Sequence, residues 1–273
     1  MDLKRIIRLG GVPEHFNYPW KLWLNDVDSN FEDCAWEWTD FPGGSGAMIQ
    51  ALESGETDVA FVLTEAVANA KMKGSNIVPL AVFVESPLIW GIFTSSKNEL
   101  TQISPVENKK YAISRRGSGS ELMAKVDSLI RVETIPEDNF IVVQNLEGAR
   151  FSLASGETDL FMWEKWMTKP LVDAGEFKMI DERPTPWPCF LMVCTPEFYQ
   201  DKKALETLNL AYMQVLRFAD SFKRDGASAE ILNVEYKIQV GDAKTWLNHV
   251  KWAQNWIQPE ESLQQASEII ARI

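Results

Sequence analysis

Cysteine and histidine are scarce in this chain of 273 residues: Cys34, Cys189 and Cys194, with His15 and His249. No C-x-x-C occurs, and neither histidine has a second His or Cys at ligand spacing, so neither a disulfide framework nor a metal site is expected. Two isolated histidines build no Ser-His-Asp or Cys-His relay, and no catalytic residue is assigned. Long apolar runs are missing too: none approaches the roughly 20 residues that span a bilayer. The opening MDLKRIIRLGG has too short an apolar stretch and no small-residue cleavage site. No membrane insertion is therefore expected, and the chain as it stands reads as cytoplasmic; a leader removed beforehand would make it periplasmic or otherwise extracytoplasmic. Positive charge is sparse, with 27 Lys and Arg against 39 Asp and Glu and a net charge of −12. The cations are scattered, which argues against nucleic acid, whose binders gather cations to displace counterions. Nucleotide fingerprints fail as well. GSGSEL lacks the lysine of a P-loop, and RLGGVPEHF has two glycines of a dinucleotide loop with Pro13 interrupting it. No cofactor is expected.

What the chain does have is a repetition. Ser-Gly-Glu-Thr-Asp stands at Ser54 to Asp58 and again at Ser155 to Asp159. Each copy follows a helix-like stretch, SGAMIQALESG or LEGARFSLASG, and leads into a continuous apolar run, VAFVL or the LFMW of DLFMW, of the kind that marks a strand buried on both faces. Gly55 suits the left-handed position after a helix, and Thr64 is expected to cap the helix EAVANAKMKG. Asp58 and Asp159 read as turn residues bonding local amides at the end away from any cleft. Alternating strands and helices mean α/β lobes, and the duplication means two. Leu88 to Ser95 and Cys189 to Thr195 are placed where a two-strand hinge would lie. Lobe one is expected over 1–92 and 191–273, and lobe two over 93–190. Helices expected at Lys203 to Phe222, Ala227 to Leu232, Asp242 to Trp256 and Pro259 to Ile273 pack back on lobe one, with Tyr212, Phe218, Trp246, Trp252 and Trp256 as packing residues.

Two glycine-serine loops precede helices, PGGSGAM at Pro42 to Met48 and RRGSGSELM at Arg115 to Met123. A helix start offers unpaired N–H groups and partial positive charge to an anionic or carbonyl oxygen. Ser45, Ser118 and Ser120 would add hydroxyl donors. The competing reading is a plain cap, since Ser118 and Glu121 fit a capping box. Glu65 and Glu164 follow the repeated strands, either as ligand contacts or as charges suited to a helix dipole. His15 stands on the cleft side of the first strand's end, with a role or without one. Trp163, Trp166 and Trp187 would wall a planar ligand or pack the lobe.

With two repeats, two crossings and paired glycine loops, GGSGAMIQALESGETDVAFVLTEA and AISRRGSGSELMA resemble segments of the type 2 periplasmic-binding-protein superfamily. The likeness is to the group holding nitrate-, taurine- and thiamine-pyrimidine-binding proteins and the fungal thiamine-pyrimidine synthases; LFMWEKWMTKPLVD and RPTPWPCFLMV resemble a leaderless subgroup. The resemblance implies an α/β architecture of two lobes that close by a hinge on one small molecule. Carried onto this sequence, the contacts are Gly11, Val12 and Pro13 with His15; Gly44, Ser45 and Gly46; Thr64 and Glu65; Ser86; Arg116, Gly117, Ser118, Gly119 and Ser120; Asn145; and Trp163 with Glu164. The implied ligand is polar or anionic, and planar where tryptophan stacks on it; an ABC permease is a partner only of an exported protein. The cysteine-rich iron stretch of the fungal synthases is absent. A biosynthetic enzyme on the same fold, with His15 or Glu65 as acid or base, is the alternative.

Overall fold

In the computed structural model, which describes residues 4–26, 31 and 34–273, the duplication is visible strand by strand. Residues 1–3, 27–30 and 32–33 of the expected first lobe lie outside the described residues. The first sheet has the order β2-β1-β3-β10-β4. Its strands are β1 (Arg5–Gly11), β2 (Cys34–Asp40), β3 (Val59–Leu63), β4 (Val78–Val84) and β10 (Phe190–Cys194). The second has the order β7-β6-β8-β5-β9, from β5 (Ile89–Ser95), β6 (Tyr111–Ile113), β7 (Phe140–Val142), β8 (Leu160–Glu164) and β9 (Phe177–Pro184). In each sheet three strands run parallel, and a returning strand, β10 or β5, lies antiparallel between the third parallel strand and an edge strand. The edge strands β4 and β9 are additions to the sequence reading.

The repeated pentapeptide has the same job in both lobes. It follows α2 (Gly44–Glu53) in the first and α5 (Leu146–Ser155) in the second. Gly55 and Gly156 take φ +71° and +77°, a conformation that costs a residue without Cβ nothing. The next amides then fold back, Glu56 N to Ala51 O and Glu157 N to Ser152 O, both at 2.9 Å. Each aspartate clasps the neighbouring parallel strand at two points. Its own amide reaches the carbonyl of Arg8 (3.0 Å) or Lys110 (2.8 Å), and its carboxylate accepts the amide of the same residue at 2.8 Å. The amides that Asp58 and Asp159 hold are thus local in space and 50 or 49 positions distant in sequence.

The chain crosses between lobes at residues 85–88 and 185–189. These crossings bond to each other: Thr185 N to Leu88 O (2.9 Å), Leu88 N to the Thr185 hydroxyl (3.1 Å) and Cys189 N to Ser86 O (3.2 Å). The strands expected as the hinge itself are one step further on, β5 wholly in the second sheet and β10 wholly in the first. Residues 89–92 therefore lie in the second sheet and Phe190 in the first, a few positions off the expected division. The C-terminal helices α8 (Lys202–Arg224), α9 (Ser228–Tyr236), α10 (Val240–His249) and α11 (Glu260–Ile270) follow. α10 is shorter than expected because Val250 turns extended while Lys223 Nζ donates to its carbonyl. Trp252 instead bridges Val84 and donates to Phe16 O (2.9 Å). One apolar core runs continuously through the hinge, and a small one, with Phe93, Leu153, Phe161 and Phe177, lies on the far face of the second sheet. Among the described residues, no helix is long and apolar enough to cross a membrane.

Candidate functional site

All six parallel strands end on one cavity of about 550 Å³, within the range of small-molecule sites. After β1 come Val12 and Glu14, after β2 Pro42 to Gly46, and at the end of β3 Leu63. From the second lobe come Ser114 and Arg115 after β6, Gln144 to Glu147 after β7, and Trp163 with Glu164 at the end of β8. Ligands of open α/β sheets collect at such carboxyl ends, because diverging loops leave a crevice there. Leu88 from the hinge, Trp90 and Phe190 complete an apolar floor.

The lobes meet over this cavity. Arg115 reaches across to donate to Gly43 O (3.2 Å). A Cβ on Gly46 would lie 1.8 Å from its Nη2, so glycine here makes room for a guanidinium from the opposite lobe. Burial lowers the Arg115 pKa from its ordinary value. Likewise, a Cβ on Gly119 would stand 3.0 Å from the Trp90 ring and 3.9 Å from Leu63.

Of the residues expected at the site, Val12, Gly44, Ser45, Gly46 and Asn145 line the cavity, as do Gly117, Ser118, Gly119, Ser120, Trp163 and Glu164. The serine oxygens, however, already accept bonds from the backbone. Ser45 Oγ accepts from Leu63 N (3.2 Å), Ser120 Oγ from Ser114 N (3.0 Å) and Ser118 Oγ from Glu121 N (3.5 Å). The capping-box reading holds in its first half at α4 (Gly119–Ile130), where Ser118 Oγ accepts from Glu121 N, while the Glu121 carboxylate reaches one residue further back and accepts from Gly117 N at 2.5 Å. The protein's own carboxylate thus stands beside the start of the helix where an anionic ligand was expected.

Seven expected contacts stand outside the cavity wall. Arg116 turns away to Glu121 and Glu137 (3.1 Å each) and to the Glu137 carbonyl (3.0 Å). Thr64 does not cap α3 (Thr64–Met72); Leu63 holds that position and the Thr64 hydroxyl donates to Pro188 O. Glu65 is fully buried, where its Oε2 accepts from Trp187 Nε1 (2.9 Å). Desolvation raises its pKa to about 7. Ser86 ties the hinge to the C-terminal segment, its Oγ accepting from Lys251 N (3.1 Å). Gly11 packs against Asn17 and Trp38, which leaves no space for a side chain. Pro13 turns the chain between Val12 and Glu14, off the wall itself. His15 is fully buried, with ring contacts to Phe16 and Trp246 at 4.6 and 4.2 Å. Neither of its nitrogens has a hydrogen-bond partner among the described residues. Burial lowers its pKa to about 3, so it stays neutral and cannot shuttle protons near neutrality. Trp166 and Trp187 are buried away from the wall.

The wall also holds residues that sequence reasoning passed over. Glu14 is half-buried, and burial raises its carboxyl to about 7. Trp90 is 4% exposed with an unpartnered Nε1. Gln144 holds a left-handed φ of +73°, the kind of backbone cost often found at binding loops. Glu164 splits its roles: Oε2 caps α6 (Lys165–Asp173) by accepting from Met167 N (2.6 Å), and Oε1 has no partner among the described residues. Burial, and then the charge of Glu14, hold its pKa well above the usual carboxylate range. No cluster of three or more metal-ligating side chains occurs among the described residues.

Two lobes hinged over a cleft at the strand ends define the class: this is the type 2 periplasmic-binding-protein fold. More particularly, residues 90–183 match the family model described as Ca3427-like PBP. The structure of the Candida albicans CA3427 gene product, reported to show the generic periplasmic binding protein fold, superposes with a TM-score of 0.90 at 26% identity, covering 99% of this chain and 90% of that one. The alkanesulfonate-binding protein SsuA from Xanthomonas axonopodis pv. citri, bound to MOPS, gives 0.71 at 15% identity over 92% and 88% of the two chains. The aliphatic sulphonate-binding protein SsuA from Escherichia coli gives 0.71 at 13% over 99% and 88%. No curated protein sequence matches the chain.

Proposed function

We propose that this protein binds one small molecule in the cleft between its lobes and closes on it by bending at residues 85–88 and 185–189. The observation that carries the reading is the cavity of about 550 Å³ walled by both lobes, to which every parallel strand contributes its carboxyl end. Solute binding by the sulfonate-binding neighbours supports it. Arg115 is the cross-cleft contact of the closed form, and Trp90 and Trp163 are the aromatic walls. The enzymatic alternative loses its named carriers, since His15 and Glu65 both stand outside the cavity wall.

The test is to incubate the protein with a metabolite extract, identify any retained compound by mass spectrometry and follow thermal stability against its concentration. A compound recovered unchanged, with stabilisation growing as the logarithm of its concentration, is the expected result. Conversion of that compound would replace binding by catalysis, and failure of any compound to stabilise the protein would overturn the reading.

A further inference from the structure

One part of the cavity wall is acidic where an anion-binding protein would be basic. Glu14 and Glu164 come from opposite lobes, at the ends of β1 and β8, and both line the cavity. They are close enough for the charge of Glu14 to act on Glu164. Both also act on Cys189 in the hinge. Glu164 is 4% exposed and keeps one oxygen without a partner; the Glu14 carboxylate has no hydrogen bond or ion pair among the described residues. The cations of the cavity lie elsewhere. Arg115 is held by Gly43 O, and Lys73 Nζ stands 3.7 Å from where a Cβ of Gly117 would sit. Lys165, the cation next to Glu164 in sequence, pairs with Glu182 at 2.6 Å and lies over the Trp166 ring.

Two carboxylates at the cavity wall, one buried and one half-buried and neither paired with a cation, are costly in their ionised form unless something positive completes them. From this we infer that Glu14 and Glu164 are a cation-reading pair, and that the ligand presents to them a protonated amine or amidine-type nitrogen on an apolar, ring-sized body. Planar N–H donors suit carboxylates because two parallel bonds can form, and Trp90, Trp163 and Phe190 supply apolar walls. The inference rests on the cleft-binding reading above and adds the chemical class of the ligand. It also replaces the anionic ligand expected from the glycine loops, beside whose second helix start Glu121 already places a carboxylate.

Binding of such a cation favours the ionised acids, so protons held by the empty cleft leave when it fills. Affinity should therefore be weakest in acid and rise with pH, through about 7 for Glu14 and further as Glu164, held well above the usual carboxylate range, ionises. The titratable groups that interact with this pair are Lys165 beside Glu164, Cys189 in the hinge and Tyr236 near Glu14.

The experiment uses three probes of one shape: benzamidine, benzamide and benzoate, titrated calorimetrically into the full chain. Benzamidine should bind about tenfold or more tightly than either of the others, and more tightly at about pH 8.5 than at about pH 5.5. Titration in two buffers of different ionisation heat should show proton release. Glu164→Gln and Glu14→Gln should each weaken benzamidine about tenfold, while the far-ultraviolet spectrum and melting temperature show the variants folded; the glutamine at 164 can still cap α6. Preference for benzoate, indifference of benzamidine to both variants, or binding of none of the three would overturn the cation-reading pair. The cleft reading is judged separately, since an anion retained from the metabolite extract would sink the pair and leave cleft binding intact.

Discussion

Burying Glu65 should leave a pH signature that a glutamine erases. Its carboxyl is fully buried, accepts one hydrogen bond from Trp187 Nε1, and is raised from 4.5 to about 7 by desolvation. A carboxyl whose folded pKa lies above its unfolded one adds stability that is complete below the unfolded value and is lost as pH rises through the folded one. For Glu65 that window runs from 4.5 to about 7. At about 1.36 kcal/mol per pH unit the ceiling is ~3 kcal/mol, and relaxation around the ionised form reduces the expected loss to about 1–3 kcal/mol. Glu65→Gln keeps a carbonyl for Trp187 and cannot ionise. It also places an NH2 where Oε1 has no partner, a cost of about 1–3 kcal/mol that is the same at every pH and cancels in the comparison. Urea unfolding of both proteins at about pH 5 and about pH 8 should show the variant gaining about 1–3 kcal/mol relative to wild type between the two. Glu14 and Glu164 tilt the wild-type curve in the same sense, and both remain in the variant, so the difference isolates Glu65. Parallel pH curves for the two proteins would refute the buried-acid account. Lost ligand affinity in the variant would return Glu65 to the binding site.

Three further outcomes are expected. Asp58→Ala should cost about 2–3 kcal/mol and Asp159→Ala about 1–2 kcal/mol by denaturant unfolding, because only Asp58 also accepts from the Arg8 guanidinium, at 2.7 and 3.1 Å; the reverse order would remove the shared clasp. Gly46→Ala would drive Arg115 from its place against Gly43, so small-angle scattering should show a larger radius of gyration and the retained ligand should bind several-fold more weakly, as expected when the competent closed state is less populated. Unchanged scattering and affinity would show that Arg115 does not hold the lobes together. His15→Phe removes a polar ring from an aromatic nest in which it has no hydrogen-bond partner among the described residues, so stability should hold or rise by about 1 kcal/mol with binding unchanged; lost binding would reinstate His15 as a contact.

The duplication was legible because it is local. Helix, left-handed glycine, clasping aspartate and buried strand succeed one another within a dozen residues, and each choice has a cause readable from residue type. The edge strands β4 and β9 and the early stop of α10 were not legible, because tertiary partners decide them: Val84 ends where Trp252 bridges it, and Val250 is drawn out by Lys223. The same divide separates the legible part of the site from the rest. Loops could be assigned to the cleft by their position after parallel strands, but a side chain's direction within a loop depends on what waits on either side. Arg115 and Arg116 are neighbours with opposite fates, because Gly43 lies before one and Glu121 with Glu137 beside the other. Glu14 and His15 divide in the same way, the carboxylate left at the cavity wall while the imidazole is taken into an aromatic nest. A serine-glycine loop before a helix is equally ambiguous from sequence, and here Glu121 bears on it, by bonding the amide of Gly117 just before the helix. A carboxylate three residues into such a helix, where it can reach the loop's own amides, is therefore evidence against an anion site and directs attention to the opposite charge elsewhere in the cleft.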